Sequence, residues 1–93
     1  MMRRENAEVF SAQVLAWLAE DHARIAAFLG WSGESPASLG GRIRDPGLLL
    51  AVIEFLLTDE ALLIEACDAL DVPPQTPGLA RAALPGGADY HWT

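Results

Sequence analysis

The segment Asp45-Pro46-Gly47-Leu48-Leu49-Leu50-Ala51-Val52-Ile53-Glu54-Phe55-Leu56-Leu57-Thr58 is the one around which the rest of the chain has to be arranged. Asp45 followed by Pro46 reads as a helix start, a capping carboxylate before a residue whose fixed φ suits the first helical position. At 100° per residue, Leu48, Leu49, Val52, Ile53, Phe55, Leu56 and Leu57 spread over most of the helix circumference, leaving only Gly47, Ala51 and Glu54 on a narrow strip. A helix that is apolar nearly all round must be surrounded by other elements, so residues 46–57 are read as the central helix. The most apolar part, residues 48–57, is about half the length a bilayer requires and contains Glu54, which makes it a buried helix and not a membrane span.

Working outward from this helix, the remaining elements follow from capping and periodicity. Downstream, Thr58-Asp59-Glu60 reads as a cap that ends the fourth helix and opens the fifth, with Leu62, Leu63, Ala66, Cys67 and Leu70 on the core face and Ile64 pointing outward. Asp71-Val72-Pro73-Pro74 breaks the chain, a short sixth helix runs from Thr76-Pro77, with Thr76 read as its cap, to about Leu84, and Pro85-Gly86-Gly87 ends it. Upstream, residues 5–20 place Ala7, Phe10, Val14, Trp17 and Leu18 on one face of a first helix. Asp21 caps a second helix carrying His22, Ile25, Phe28 and Leu29, with one continuous helix as the alternative; Gly30 and Gly33 terminate it, and Ser35-Pro36 opens the third.

The fold class expected is therefore all-α, a compact bundle of five to six short helices around the central helix at about residues 46–57. Residues 1–87 form a single helical domain in this reading, with residues 88–93 as a disordered C-terminal tail. Ninety-three residues hold one hydrophobic core, and the dominance of Ala and Leu over four valines and four isoleucines favours helix over strand.

The net charge of −7 is unevenly distributed. Residues 1–44 balance five arginines against five acids, whereas residues 45–93 carry one arginine and eight acids. An acidic surface repels phosphates, which argues against nonspecific nucleic-acid binding and adhesion to anionic membranes. The lone Cys67 cannot form an intramolecular disulfide and no apolar signal segment follows Met1-Met2-Arg3-Arg4, so the expected location is a reducing cytoplasm.

Catalytic and metal chemistry find little support in the residues. Cys67, His22 and His91 are too far apart in sequence to give a metal-ligand spacing, and neither histidine has the Glu three residues earlier that di-iron bundles use. Cys67 lies on a core face with no basic neighbour to lower its pKa. Ser11, Ser32, Ser35 and Ser38 suit caps or solvated positions, and Gly40-Gly41 and Gly86-Gly87 have no preceding strand that would make them phosphate loops. The pairs Glu20-Asp21 and Asp59-Glu60 sit where helix N-termini favour negative charge. No catalytic residue, cofactor or metal is expected, and the chain is read as no enzyme.

One local pattern points to nucleic acid. Arg24-Ile25-Ala26-Ala27-Phe28-Leu29-Gly30-Trp31-Ser32 is similar to the first half of a DNA-binding helix-turn-helix, and residues 22–44 carry Arg24, Arg42 and Arg44 against Glu34. The second half departs from that pattern, because the recognition helix would begin at Pro36 and contain Gly40-Gly41. A degenerate helix-turn-helix at residues 22–44 is thus the alternative functional reading.

The order of motifs is itself distinctive: Leu15-Ala16-Trp17-Leu18-Ala19-Glu20-Asp21, Phe28-Leu29-Gly30-Trp31-Ser32-Gly33, Ile53-Glu54-Phe55-Leu56-Leu57-Thr58-Asp59-Glu60-Ala61-Leu62-Leu63, and Ala80-Arg81-Ala82-Ala83-Leu84-Pro85-Gly86. This order resembles a family of small uncharacterised alphaproteobacterial proteins that constitute a domain of unknown function. The resemblance implies a bacterial, cytoplasmic, all-helical protein and brings no activity, cofactor or catalytic residue with it. The leading functional reading is a non-enzymatic protein-interaction module, with a homodimer as one form of it, because so apolar a small chain leaves apolar surface to cover. Candidate contacts are Trp31, Ile64, Tyr90 and Trp92, each with a plainer account: Trp31 closing the core at a helix end, Ile64 a solitary surface residue, and the two tail aromatics a frayed terminus.

Overall fold

Short polar side chains cap the starts of four of the six described helices. In the computed structural model, which describes residues 1–87, α1 spans Arg4–Ala19, α2 His22–Ser32, α3 Pro36–Gly40, α4 Pro46–Leu57, α5 Glu60–Leu70 and α6 Thr76–Ala83. The tail expected at residues 88–93 lies outside the described residues. Asp21 accepts from the N–H groups of Ala23 (2.8 Å) and Arg24 (3.1 Å), which separates α2 from α1 and resolves the two into distinct helices. Ser35 and Ser38 form a reciprocal capping box around Pro36, and Asp45 accepts from the Gly47 N–H at 2.9 Å.

Three local expectations need correction. Asp59, not Thr58, caps α5: its extended backbone (φ −140°, ψ 102°) directs the carboxylate to the Leu62 N–H, while Thr58 still has helical dihedrals and donates its hydroxyl back to the Phe55 carbonyl at 2.7 Å. Gly30 is an interior residue of α2, and only Gly33, at φ +80°, ends it by supplying the left-handed conformation that L side chains avoid. Thr76 is the first residue of α6, where its side chain is buried and makes no cap.

These caps give acid unfolding a defined origin. Backbone hydrogen bonds, from Arg24 and Ala23 to Asp21 and from Gly47 to Asp45, hold both carboxyl groups below their ordinary value of 3.8; the Arg42 guanidinium adds to the effect at Asp45. Because the folded pKa is the lower one, the associated stability is present above pH 3.8 and disappears as pH falls through the folded values. The double variant Asp21→Asn, Asp45→Asn keeps an acceptor at each cap. Its urea midpoint, measured between pH 5 and pH 2, is expected to fall less steeply with acid than that of the parent chain.

The core is organised by α4, which buries Leu48, Leu49, Val52, Ile53, Phe55 and Leu56 and packs against α1, α2, α5 and α6. Leu57 departs from the expected pattern and is exposed at the last turn, since α5 turns away immediately after it. From α1 come Ala7, Phe10, Val14, Leu15, Trp17 and Leu18, and from α6 Ala80, with Leu84 closing the end. Phe28 of α2 is fully buried and meets the Phe55 ring edge-on at 5.4 Å; Trp31 adds a third ring, 5.4 Å from Phe55. In contrast, α3 is five residues long, buries none of them, and has no helix-to-helix packing comparable to that of the other five.

Candidate functional site

The position of α3 leaves one flank of α1 uncovered. Besides its core face, α1 carries a second row, Val9, Ala12, Ala16 and Ala19, at alternating three- and four-residue spacing, all exposed. Ala12, Ala16 and Ala19, with the buried Leu15, line the α1 side of a groove. One wall is made by Ile25 and Leu29 of α2, both half-buried, and the other by Leu39 of α3 and Ile43 of the segment that follows. The groove encloses about 600 Å³, and Arg44 is the single charged residue lining it. Its size and its predominantly apolar lining are those of a binding cleft.

Ile43 and Arg44 also line a second, shallower depression of about 330 Å³ on their far side, together with Glu5, Glu8, Val9 and Leu49. These two residues therefore form a ridge between two hollows. Ile43 is 52% exposed and Val9 58%, a large amount of apolar side chain for solvent to cover. Between α2 and the start of α5 a further depression, of about 580 Å³, is lined by Arg24, Asp59 and Glu60 and is more polar in character.

The sequence-predicted contact residues are dispersed. Trp31 is 47% exposed and lines a small depression with Glu54, Leu57 and Arg81, where Arg81 pairs with Glu54 at 3.5 Å. Ile64 faces outward from α5 as expected, but it lines none of the depressions described above. Tyr90 and Trp92 lie outside the described residues.

The three arginines of the nucleic-acid reading have three different environments. Arg24 lies over the Trp17 ring, 3.9 Å from its centroid, and donates to the Trp17 carbonyl at 2.9 Å. Arg42 is held between Glu34 and Asp45, whose charges raise its pKa further, the Asp45 hydrogen bond contributing most. Arg44 is exposed at the groove and has no ion-pair partner among the described residues. The segment in the place of a recognition helix is α3, too short to present the three or four base-reading side chains such a helix carries.

Cys67 is buried on the inner face of α5, and burial, with a smaller contribution from the Asp68 charge, raises its thiol pKa above the ordinary 9.0. That environment disfavours the thiolate. Among the described residues no three His, Cys, Asp or Glu side chains converge to hold a metal ion, and no helix is long and apolar enough to cross a membrane.

The groove was missing from the sequence reading because its members belong to three helices and a loop. Its one local signal was the 9, 12, 16, 19 row on α1, which alanines make inconspicuous beside the larger residues of the core face. Among known proteins, the model of a family described as "Protein of unknown function (DUF3572)" matches residues 4–87. No curated protein and no solved structure matches.

Proposed function

Because the chain belongs to the family of the protein of unknown function DUF3572, which brings no activity with it, we propose from its surface that it is a non-enzymatic protein-interaction module docking through the α1–α3 groove. The observation carrying this reading is the groove itself, a concave apolar surface with a single charge at its rim. Catalysis has no comparable support: Asp21, Asp45 and Asp59 are engaged as helix caps, and the Cys67 thiol is buried and protonated. A buried, unpaired cysteine suits a reducing bacterial cytoplasm, which is where this reading places the protein.

DNA binding is the weaker alternative. Neutralising phosphates takes several free cations on one face, and Arg24 and Arg42 are already engaged within the fold. The docking reading is tested by placing a photo-crosslinking amino acid at Leu39 in the groove and, separately, at Ala61 on the exposed side of α5, in the native cell. A discrete protein adduct from position 39 and none from position 61 is the expected result. Equal or absent adducts at both positions would remove the groove as a docking site.

A further inference from the structure

We propose that residues 88–93 dock on the protein's own surface, over the hollow lined by Trp31, Glu54, Leu57, Thr58 and Arg81, with Tyr90 and Trp92 turned towards Trp31 and Leu57. This surface is separate from the α1–α3 groove, so the inference goes beyond the docking reading above and does not depend on it.

The path of the chain up to residue 87 carries the inference. Gly86 has φ +89°, a conformation that L side chains avoid, and a Cβ on it would lie 3.5 Å from the Leu50 side chain. Gly87 has no room for a side chain at all: a Cβ there would overlap the Arg81 carbonyl group and lie 3.3 Å from the Arg81 Cγ. The two glycines therefore turn the chain back into the seam between α4 and α6. Along that seam Leu50, Glu54 and Leu57 follow one another on α4 at four- and three-residue spacing, and Arg81 reaches across from α6 to Glu54 at 3.5 Å. The chain thus passes Leu50 at residue 86 and the stem of Arg81 at residue 87, and the hollow opens at the head of that same Arg81 side chain.

Reach and chemistry agree with this destination. At up to about 3.5 Å per residue, a segment continuing from Gly87 carries Tyr90 as far as about 10 Å and Trp92 as far as about 18 Å. In an extended segment these two aromatics, two positions apart, face one way and His91 the other. The hollow, of about 260 Å³, has room for an aromatic side chain, and Trp31 and Leu57 offer it exposed apolar surface. The other exposed apolar residue of α6, Leu79, is two positions from Arg81 and so about 160° away round the helix, off this path. Three of the four contact residues expected from the sequence, Trp31, Tyr90 and Trp92, then meet within one chain.

Nuclear magnetic resonance of the full chain tests this through Overhauser contacts of the Tyr90 and Trp92 ring protons. Contacts to the Trp31 indole and the Leu57 methyl groups are expected, and a mixture of isotope-labelled and unlabelled chains should show none between copies. Gly87→Ala, which alters no residue of the hollow, should abolish these contacts and speed chymotrypsin cleavage after Tyr90 about tenfold. Leu57→Asp, at an exposed position, should do the same with the helical circular dichroism retained. Ile64→Asp, exposed on α5 away from the hollow, should leave both readouts at the parent values. Ring contacts to another surface, such as Leu39 and Ile43 of the groove, contacts between copies only, or no contacts at all would overturn the proposal. So would contacts that survive both Gly87→Ala and Leu57→Asp unchanged.

Discussion

Phe28→Ala is expected to lower the stability of the fold by about 3–5 kcal/mol, the range for deleting a fully buried aromatic side chain. Phe28 has no solvent exposure and forms a three-ring cluster with Phe55 and Trp31, whose centroids lie 5.4 and 6.4 Å from its own. Its removal forfeits the transfer of a whole ring from water and the edge-to-face contact with Phe55, and leaves a cavity that the fixed ends of α2 and α4 cannot close. Domains of this size are stable by about 5–15 kcal/mol, so the loss removes a large fraction of the total and the urea midpoint should fall accordingly. Urea unfolding followed by circular dichroism gives the value directly, and a loss below about 1 kcal/mol would show that the aromatic cluster is not the anchor of α2.

A second large effect is expected from adding bulk. Ala80 of α6 is fully buried where α6 packs against α1 and α4, and Ala7 on α1 is equally inaccessible. Small residues at a helix crossing set how close the axes come, and a longer side chain there must push α6 away or adopt a strained rotamer. Ala80→Leu should therefore destabilise by about 1–3 kcal/mol, even though leucine is more hydrophobic. Ala82, two residues further on and exposed, is the control: Ala82→Leu should leave the midpoint within about 0.5 kcal/mol of the parent. Equal effects at the two positions would mean that α6 is not held by close packing.

Helix starts were legible in the sequence because capping is local chemistry, written within three or four residues. Asp21, Ser35-Pro36 and Asp45-Pro46 all act where the residues alone placed them. The core face of α1 was equally readable, since Ala7, Phe10, Val14, Trp17 and Leu18 recur at helical spacing and all are buried. Thr58 and Thr76 misled for different reasons: the adjacent Asp59 carboxylate takes the cap while Thr58 stays helical and bonds back to Phe55, and Thr76 is buried as the first residue of α6. The groove was illegible for a different reason. It depends on α3 standing away from α1, a consequence of the length of the 33–45 connection, and three of the four α1 residues that line it are alanines, whose pattern carries weak hydropathy contrast. Trp31 combines both aspects of a large aromatic residue: its ring packs on Phe55 and Phe28 while 47% of the residue stays exposed.

The packing of α6 onto α1 has a bearing on how the protein is made. A chain leaves the ribosome at roughly 5–20 residues per second, so about 3–10 s separate the emergence of Ala19 from that of Thr76. During that interval the part of α1 that packs against α6 lacks the helix that completes its cover. Pausing, truncation or slow translation within the last twenty residues of the helical region would thus leave a nearly finished bundle with an open seam, a state prone to aggregation and to proteolysis. Among the described residues the fold closes only once α6 has emerged, and α6 acts as its latch.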